Sequence, residues 1–421
     1  MSPSSAQSTQ SLKKVVVIGA GIVGTVTALY LRRDGHDVTL IDRDDPGQGC
    51  SFGNAGLLAR SSFIPIASPE TLWNAPKWLL NPAGPLSIRW SYLPKLTPWL
   101  IRFIKAGLTN DTKTDAAALH VLTDPCVDLY RKLADEAGRG ELVRESDYLQ
   151  VYRTRGAFEK ARGDFNLRRE LGMRIDEIIG DEIQKLEPGL SPEYRYAYQV
   201  HDHGFTVNPE DLVLAIADMF VREGGRFVKA NVDDVTGAGP HTVMTSNGPF
   251  ECDQVVLSAG AFSRRLSVKL GIDVPLETER GYHIVCENPE LNLTRPVMEG
   301  DCKFLTTPMD MGLRFAGTVE LGGLDAPMNE RRIKMLTDQA KQMIPGLVTD
   351  GAETWMGFRP TFPDSLPVIG PAPNHPNVVF AFGHQHLGLT CAPKTGQLVA
   401  DLVSGRAPNV DITPYRAERF G

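Results

Sequence analysis

The sequence has few cysteines, and none of them stands at a spacing that marks a metal site. Its six cysteines are scattered along 421 residues, and no two form a CxxC pair. Such scattered thiols fit buried side chains in a reducing compartment better than a disulfide framework. We therefore expect no metal centre and a cytoplasmic location.

The sequence also lacks a long apolar run and an excess of positive charge. No uninterrupted apolar stretch reaches the roughly 20 residues of a membrane-spanning helix. Residues 1–11 are polar and lack the apolar core of a signal peptide, so we expect a disordered tail there. The formal net charge of −7 disfavours a nucleic-acid partner, since such binding normally needs a basic surface. The length exceeds the usual range of one domain, which predicts two.

A glycine-rich turn at residues 19–24 stands between a predicted strand and a predicted helix. The β-branched run 15–18 is typical of a strand buried on both faces, and the helix continues to about Arg33. A second strand at 38–41 ends at Asp42. This βαβ unit of about thirty residues is the one that a dinucleotide-binding fold requires.

Each glycine of the turn has a mechanical role in such a unit. Gly19 permits the tight turn, Gly21 lets the backbone approach a pyrophosphate, and Gly24 lets the helix pack on the strand. The helix N-terminus offers free N–H groups to the phosphates, and Asp42 can accept bonds from the ribose hydroxyls. A turn made for packing in another α/β protein is the alternative. The motif alone does not separate FAD from NAD.

Four later segments have characteristic compositions: a loop of small residues at 49–56, a strand that meets glycine at 257–263, an Arg-Pro turn at 357–364 and a Gly-His turn at 383–390. With the N-terminal motif they resemble the D-amino-acid oxidase/dehydrogenase superfamily of flavoproteins, and most closely its bacterial D-amino-acid dehydrogenase branch. They occur in family order over nearly the whole chain. The resemblance implies that the cofactor is FAD.

The resemblance also implies the fold. We expect an α/β protein in which a Rossmann-type FAD-binding domain is interleaved with an α+β substrate domain built on a mixed sheet. The expected FAD-binding domain comprises 12–60, 205–275 and 355–421. The expected substrate domain comprises 61–204 and 276–354.

The motif and the resemblance together give a set of candidate cofactor-binding residues. The loop 51–56 can run its N–H groups along the pyrophosphate and ribityl chain, and the turn 383–390 would contact the flavin, where a helix dipole stabilises negative charge. A surface turn is the alternative for the loop, and a core valine is the alternative for Val232. The candidates are Gly19, Gly21, Ile22, Val23, Gly24, Asp42, Arg43, Ser51, Asn54, Ala55, Gly56, Leu57, Val232, Ala259, Gly260, Gly357, Gly383, His384, Leu387, Gly388, Leu389 and Thr390.

The flavin carries the difficult step of an amine oxidation, and the protein orients the substrate. The substrate carboxylate must be held, and the planar fork of an arginine suits that task. Arg280 and Arg359 stand in segments that resemble the family's substrate site, so both are candidate catalytic residues. A salt-bridged or solvated arginine is the alternative for each, and is the interpretation we favour for Arg314.

Tyr282 and His386 complete the candidate catalytic set. Strand alternation places Tyr282 and His283 on opposite faces, and we expect Tyr282 to reach the substrate because a phenol can bond a carboxylate. His386 could take a proton from the substrate amine, shape the pocket, or only hydrogen-bond within its turn. Leu387 stands where sarcosine-oxidase relatives carry a lysine associated with oxygen activation, which favours a dehydrogenase.

The resemblance implies oxidative deamination of a D-amino acid or of a cyclic imino acid of the D-proline or D-hydroxyproline type. Hydride would pass from Cα to flavin N5, and electrons would leave to a respiratory acceptor such as a quinone. An oxygen-using oxidase and a flavin-binding subunit without catalysis are the alternatives. Residues 90–105 are amphipathic, which more commonly means packing on the protein itself; peripheral contact with the inner face of the cell membrane is the other interpretation.

Overall fold

The computed structural model describes residues 12–237, 239–287 and 293–421. The segment 1–11, for which we expect a disordered tail, lies outside the described residues. The predicted α/β fold class is confirmed, with one mostly parallel sheet, one larger mixed sheet and a small antiparallel sheet.

The strands of the described residues fall in chain order as follows: β1 Lys14–Ile18, β2 Asp37–Asp42, β3 Leu57–Leu58, β4 Leu86–Ile88, β5 Val143–Tyr152, β6 Ile175–Ile179, β7 Tyr196–Thr206, β8 Arg226–Lys229, β9 Val232–Thr236, β10 His241–Thr245, β11 Gly248–Cys252, β12 Gln254–Leu257, β13 Glu277–Cys286, β14 Val297–Glu299, β15 Phe304–Met309, β16 Gly312–Leu321, β17 Glu353–Thr361, β18 Val368–Ala372 and β19 His375–Phe382.

The α-helices of the same residues are α1 Ile22–Arg33, α2 Pro69–Leu80, α3 Leu93–Thr109, α4 Thr112–Thr123, α5 Cys126–Glu136, α6 Arg155–Lys160, α7 Arg162–Glu170, α8 Glu182–Leu186, α9 Pro209–Arg222, α10 Ser263–Ser267, α11 Glu330–Met343 and α12 Gly388–Val403.

The first sheet has the order β18-β19-β12-β1-β2-β8 and is parallel except for β18. Its central strand β1 is apolar from Val15 to Ile18 because both faces of that part are covered. Val15 and Val17 pack in the core that includes α1 and α12, whereas Val16 and Ile18 pack in the core that includes β9–β11. This two-sided burial explains why the sequence shows a continuous run instead of alternation.

The larger sheet has the order β17-β13-β16-β15-β14-β5-β7-β3, with β4 paired to β16 and β6 to β7. Its strand β13 lies between β17 and β16, antiparallel to both. Tyr282 and Ile284 of β13 pack in the core that includes α11. The opposite face of β13 borders the cavity described below.

The sheet pairings support a proposal of two interleaved domains, as the sequence predicts. The first sheet draws its strands from three separated parts of the chain, and the larger sheet uses the parts between them. We propose one adjustment to the expected boundaries. β3 and β17 pair within the larger sheet, although the expected boundaries would place β3 and most of β17 in the FAD-binding domain.

Helices α2 and α3 pack together where Leu72 contacts Gly107. α3 buries one face, including Trp99 and Phe103, whereas no residue of α2 is buried. The packing of α3 agrees with the interpretation that the amphipathic residues 90–105 pack on the protein itself. Among the described residues, no helix has both the length and the apolar character needed to cross a membrane.

Replacing Gly24 with alanine tests the packing of α1 on β1. A Cβ at residue 24 would overlap the carbonyl oxygen of Gly19, which is backbone and cannot rotate away. We expect Gly24→Ala to lower the free energy of unfolding by about 1–3 kcal/mol, the usual cost of overpacking, and to reduce the FAD content of the purified protein.

The matched control is Gly163→Ala in α7, where a Cβ would meet open space. This variant should unfold like the native protein or be stabilised by up to about 1 kcal/mol. Urea denaturation and the flavin absorbance measure both effects. A native midpoint and full FAD content in Gly24→Ala would refute the packing argument.

Candidate active site

A cavity of about 1370 Å³ extends from the glycine turn to the face of the larger sheet. Typical small-molecule sites occupy about 300–1,000 Å³, so this cavity has room for a large cofactor and a substrate together. Its wall includes the start of α1, the loop before β3, the turn before α12 and parts of β13 and β17.

The glycine turn forms one end of the cavity. Gly19 has φ +105°, a backbone conformation that favours glycine, and a Cβ there would overlap Ser258. α1 begins at Ile22 with no side-chain cap, and the Ile22 N–H donates to Ser51 Oγ at 2.9 Å. Gly21 borders the cavity without a side chain. A helix start beside bare glycine backbone is the arrangement that binds phosphate.

Asp42 and Arg43 lie at the same end, after β2. Asp42 Oδ2 accepts a hydrogen bond from the N–H of Ala20 at 2.6 Å, and the residue borders the cavity. Beside it, the Arg43 guanidinium lies 4.1 Å from the centre of the Phe262 ring. This cation–π pair adds a flat apolar surface next to the acid.

Side chains of the larger sheet donate hydrogen bonds to the carbonyl oxygens of the loop 51–56 and so hold it in place. Arg314 Nη1 donates to the carbonyl oxygens of Phe52 at 3.0 Å and Asn54 at 2.8 Å, and Thr307 Oγ1 donates to that of Ala55 at 2.7 Å. His283 Nδ1 lies 3.1 Å from the carbonyl oxygen of Gly53. The contacts of Arg314 agree with its interpretation as a residue outside the catalytic set.

The Gly-His turn forms the other end of the cofactor region. Gly383 has φ +88°, and the chain then enters α12, whose first residue is Gly388 and which has no side-chain cap. His384 Nε2 lies 3.1 Å from Thr395 Oγ1 inside α12. Burial lowers the pKa of His384 to about 3, so this imidazole is neutral and fixes the turn. The positive end of the α12 dipole thus faces the cavity.

The structure brings nearly all the candidate cofactor residues to one cavity. Gly24 and Gly56 are the two that do not border it, because each packs tightly against backbone: Gly24 against Gly19 and Gly56 against Thr206. The other candidates border it, namely Gly19, Gly21, Ile22, Val23, Asp42, Arg43, Ser51, Asn54, Ala55, Leu57, Val232, Ala259, Gly260, Gly357, Gly383, His384, Leu387, Gly388, Leu389 and Thr390. This arrangement fits FAD, with a phosphate cradle at one end and a helix N-terminus at the other. The contact of each residue with the cofactor stays a prediction.

Arg359 borders the cavity beside this second end. Its side chain lies over Gly281 of β13, in the space that a Cβ there would occupy, and Nη1 donates to the carbonyl oxygen of Thr318 at 3.0 Å. Within the described residues, no carboxylate lies within 4.0 Å of its guanidinium. Burial lowers the pKa of Arg359, although Glu279 raises it. The cationic fork is thus available to an anion.

Glu279 stands directly across from Arg359 in the β13–β17 pairing and also borders the cavity. It is 4% exposed, and burial raises the pKa of its carboxyl to about 7, against the lowering effect of Arg359. Cys50 lies nearby with its thiol between the N–H and the carbonyl oxygen of Phe358. Burial raises the pKa of this thiol to about 11, so it stays protonated.

His386 stands in the Gly-His turn and is exposed where it borders the cavity. Desolvation by the surrounding protein, assisted by the charge of Arg359, lowers the pKa of His386 to about 4. The imidazole is therefore neutral near pH 7, and it is a weak base. This favours the interpretation in which His386 shapes the pocket over the one in which it takes a proton.

Arg280 is placed differently from our expectation, and the Tyr282 hydroxyl has a partner within the protein. Arg280 does not border the cavity: it is fully buried, and its Nη1 pairs with Glu320 at 2.8 Å. Tyr282 donates its hydroxyl to the same carboxylate. Tyr282 and Ile284 of β13 pack in the core that includes α11, whereas Glu279 and Gly281 border the cavity, which Tyr282 also reaches. The expected substrate contact of Arg280 is therefore corrected to a structural pairing with Glu320. Tyr282 borders the cavity although its hydroxyl bonds Glu320, so its contact with the substrate stays a prediction.

Sequence reasoning missed Glu279, which stands in no motif. It becomes notable only because β17 pairs with β13 and places Arg359 opposite it. Sequence reasoning also missed a second cluster of charged residues in the cavity wall, formed by Lys303, Asp164, Glu70 and Arg168. Burial lowers the pKa of Lys303 in this cluster. These residues lie in no recognisable motif, so only the fold brings them together.

Comparisons with known proteins agree with the geometry. A sequence model of the family described as FAD dependent oxidoreductase matches residues 14–402. The chain is 40% identical over 417 residues to a D-amino-acid oxidase of Bradyrhizobium diazoefficiens, covering 97% of this chain and 99% of that protein. It is 30% identical over 423 residues to a D-amino acid dehydrogenase of Vibrio atlanticus, covering 97% of this chain and 100% of that protein.

Solved structures show the same fold. Glycine oxidase from Geobacillus kaustophilus aligns with a TM-score of 0.75 at 21% identity, over 96% of this chain and 98% of that chain. L-proline dehydrogenase from P. horikoshii aligns with a TM-score of 0.74 at 19% identity, over 97% of this chain and 98% of that chain.

Replacing Glu320 tests the structural role assigned to its partner Arg280. Removing one member of a buried ion pair leaves the other charge uncompensated, so Glu320→Ala should lower the free energy of unfolding by about 3–5 kcal/mol. Asp338→Ala, which breaks an exposed pair with Lys334, should change it by no more than about 1 kcal/mol. Urea denaturation measures the free energy of unfolding of both variants. Equal losses in the two variants would contradict the structural role assigned to Arg280.

Proposed function

The chain belongs to the FAD dependent oxidoreductase family, and on that premise we propose that it dehydrogenates the C–N bond of a D-amino acid or of a cyclic imino acid of the D-proline type. Its cofactor is FAD, and it is an enzyme of the D-amino-acid oxidase and dehydrogenase type. The D configuration and the dehydrogenase assignment follow the names of its similar relatives. The cyclic imino acid is our own extension of that class.

The observation that carries the proposal is the placement of Arg359. A guanidinium without a carboxylate partner within the described residues borders the cavity near His386 of the Gly-His turn. An arginine in such a place can bind both oxygens of a substrate carboxylate. It would therefore hold an amino acid beside the Gly-His turn, where we propose that the flavin ring lies.

The other residues of the site would position the cofactor and enclose the substrate. The glycine turn and α1 would hold the pyrophosphate, and the first turn of α12 would place its dipole against the flavin ring. When bound, FAD accepts the hydride from the substrate Cα. His386 forms a neutral wall beside Arg359. α2 would limit the access of water, because Leu72, Trp73 and Trp78 line the cavity.

We propose that electrons leave through a quinone at a membrane surface reached by α2 and α3. Ile101, Ile104 and Leu108 form an exposed apolar stripe on α3, and Trp73 is exposed on α2 beside it. Basic residues accompany the stripe although the protein as a whole is acidic. They are Lys77, Lys95, Arg102 and Lys105. An apolar stripe with basic neighbours suits an anionic membrane surface.

An oxygen-using oxidase is the second candidate. The similar relative from Bradyrhizobium diazoefficiens, which is 40% identical, is named a D-amino-acid oxidase, whereas the 30% identical relative is named a dehydrogenase. The two functions share the same binding residues and differ only in what reoxidises the flavin. The acceptor therefore has to be measured.

The first test is anaerobic reduction of the bound flavin by a panel of D- and L-amino acids and both enantiomers of proline and hydroxyproline. We expect D-substrates to bleach the flavin absorbance and their L-enantiomers to leave it unchanged. Arg359→Met should lower kcat/KM for the best substrate by roughly 30-fold or more, the loss expected when a buried charge partner is removed.

Arg332→Met is the matched control, since Arg332 is a buried arginine of α11 that does not border the cavity. Its KM should equal that of the native protein. The proposal fails if no D-amino or imino acid bleaches the flavin. The role of Arg359 fails if both variants keep the native kcat/KM.

The second test separates the two acceptors. With vesicles of anionic lipid that contain a quinone, we expect turnover to consume quinone and to release little hydrogen peroxide. Ile101→Glu should weaken vesicle binding, because Ile101 is 62% exposed on the proposed contact stripe, whereas Val348→Glu, also exposed but elsewhere, should not. One peroxide per substrate without any quinone would instead establish the oxidase.

A further inference from the structure

We infer that Glu279 binds the ammonium group of the substrate and takes up its proton while Arg359 holds the carboxylate. This assigns a catalytic residue within the site of the proposed function and rests on that function. The substrate N–H bond breaks and an O–H bond forms on Glu279. The substrate ammonium becomes a neutral amine, and the Glu279 carboxylate becomes a carboxylic acid, so charge and protons balance. The substrate carboxylate on Arg359 stays ionised.

The first support is the pairing of opposite charges on one surface. Glu279 and Arg359 are directly opposed in adjacent antiparallel strands, which places their Cβ atoms about 5 Å apart. Their side chains nevertheless form no ion pair within 4.0 Å. The guanidinium lies instead over Gly281 and bonds the carbonyl oxygen of Thr318. Two opposite charges held apart beside a cavity match an amino acid, which carries both charges on one carbon.

The second support is the cost of burying Glu279. A carboxylate that is 4% exposed and has no cation within 4.0 Å among the described residues is expensive to keep ionised. A substrate ammonium would supply the missing cation. Neighbouring carboxylates have close partners, since Glu320 pairs with Arg280 and the partly buried Glu277 accepts hydrogen bonds from Tyr92. Among the described residues, Glu279 pairs with no cation: burial raises its pKa, and Arg359 and the Thr361 hydroxyl lower it without cancelling that effect.

The third support is chemical need. An α-ammonium group has no lone pair and must lose a proton before its C–H bond can be oxidised. The two bases near Arg359 differ in strength: burial lowers the pKa of His386 to about 4, whereas burial raises that of Glu279 to about 7. A base whose pKa is close to the working pH is the more effective acceptor. Glu279 therefore takes the role first considered for His386.

Several groups set the charge around Glu279. Arg359 on β17 faces it and lowers its pKa, and Cys50 and His386 face Arg359 in turn. Cys50 and His386 are both uncharged near neutral pH. Glu277, two residues earlier on the same strand, is held by Tyr92. A single ionisation, that of Glu279, is thus expected near pH 7.

The test is stopped-flow reduction of the flavin in the FAD-bound protein, without oxygen, between about pH 5.5 and 10. The probe is the D-amino acid that bleaches the native flavin fastest. The native rate should rise with pH through about 7 and then level, because Glu279 accepts a proton only when ionised. Glu279→Gln should react at least about 100-fold more slowly at pH 7 and lack this rise. The two rates should converge at high pH, where the free amine needs no base.

Glu277→Gln is the matched control and should keep the native rate and pH profile. Glu279→Asp should keep the rise near pH 7 at a reduced rate, since its carboxylate stands farther from the substrate. A native rate and profile in Glu279→Gln would overturn the inference. If Glu279→Gln fails to retain FAD, the rate of flavin reduction in Glu279→Asp is the test. A native rate in Glu279→Asp would then overturn the inference. Absence of bleaching in the native protein would instead defeat the proposed function itself.

Discussion

The position of the Arg359 guanidinium determines how the substrate end of the cavity is built. It lies flat on β13 because Gly281 has no side chain, and a Cβ there would overlap it. From that position it bonds the carbonyl oxygen of Thr318, a residue with φ +60° where β16 shifts register against β13. The bare glycine and the strand irregularity thus hold a cation at the cavity wall, and no carboxylate in the described part of the chain pairs with it.

The same strand keeps another arginine away from the substrate. Successive residues of β13 point to opposite faces, so Arg280 reaches Glu320 on the side of α11 and Glu279 reaches the cavity. The two arginines consequently have different roles. Arg280 is neutralised and contributes to the stability of the larger sheet, whereas Arg359 keeps a free fork for the substrate that we propose. In the same way, Arg314 is used to fasten the loop 51–56.

The sequence could predict the cofactor half of the molecule well, because its features are local. The run at 15–18, the three glycines and Asp42 occupy consecutive stretches, and their mechanical roles fix both the βαβ unit and its ligand class. The substrate half depends on pairings between strands far apart in the chain. Placing Arg280 away from the cavity required knowing which face of β13 meets α11, and a single strand carries no such information. Glu279 becomes notable only when β17 places Arg359 opposite to it.

The central claim is that an amino acid lies between Arg359 and Glu279, and a crystal structure can test it directly. Crystals of the FAD-bound protein would be soaked without oxygen or another acceptor in the D-amino acid that reduces it, so that the reduced protein retains bound amino acid. We expect the carboxylate on the Arg359 guanidinium and the nitrogen within hydrogen-bond distance of a Glu279 oxygen. A carboxylate bound instead by Lys303 or Arg168, with Arg359 still bonded only to Thr318, would contradict the claim.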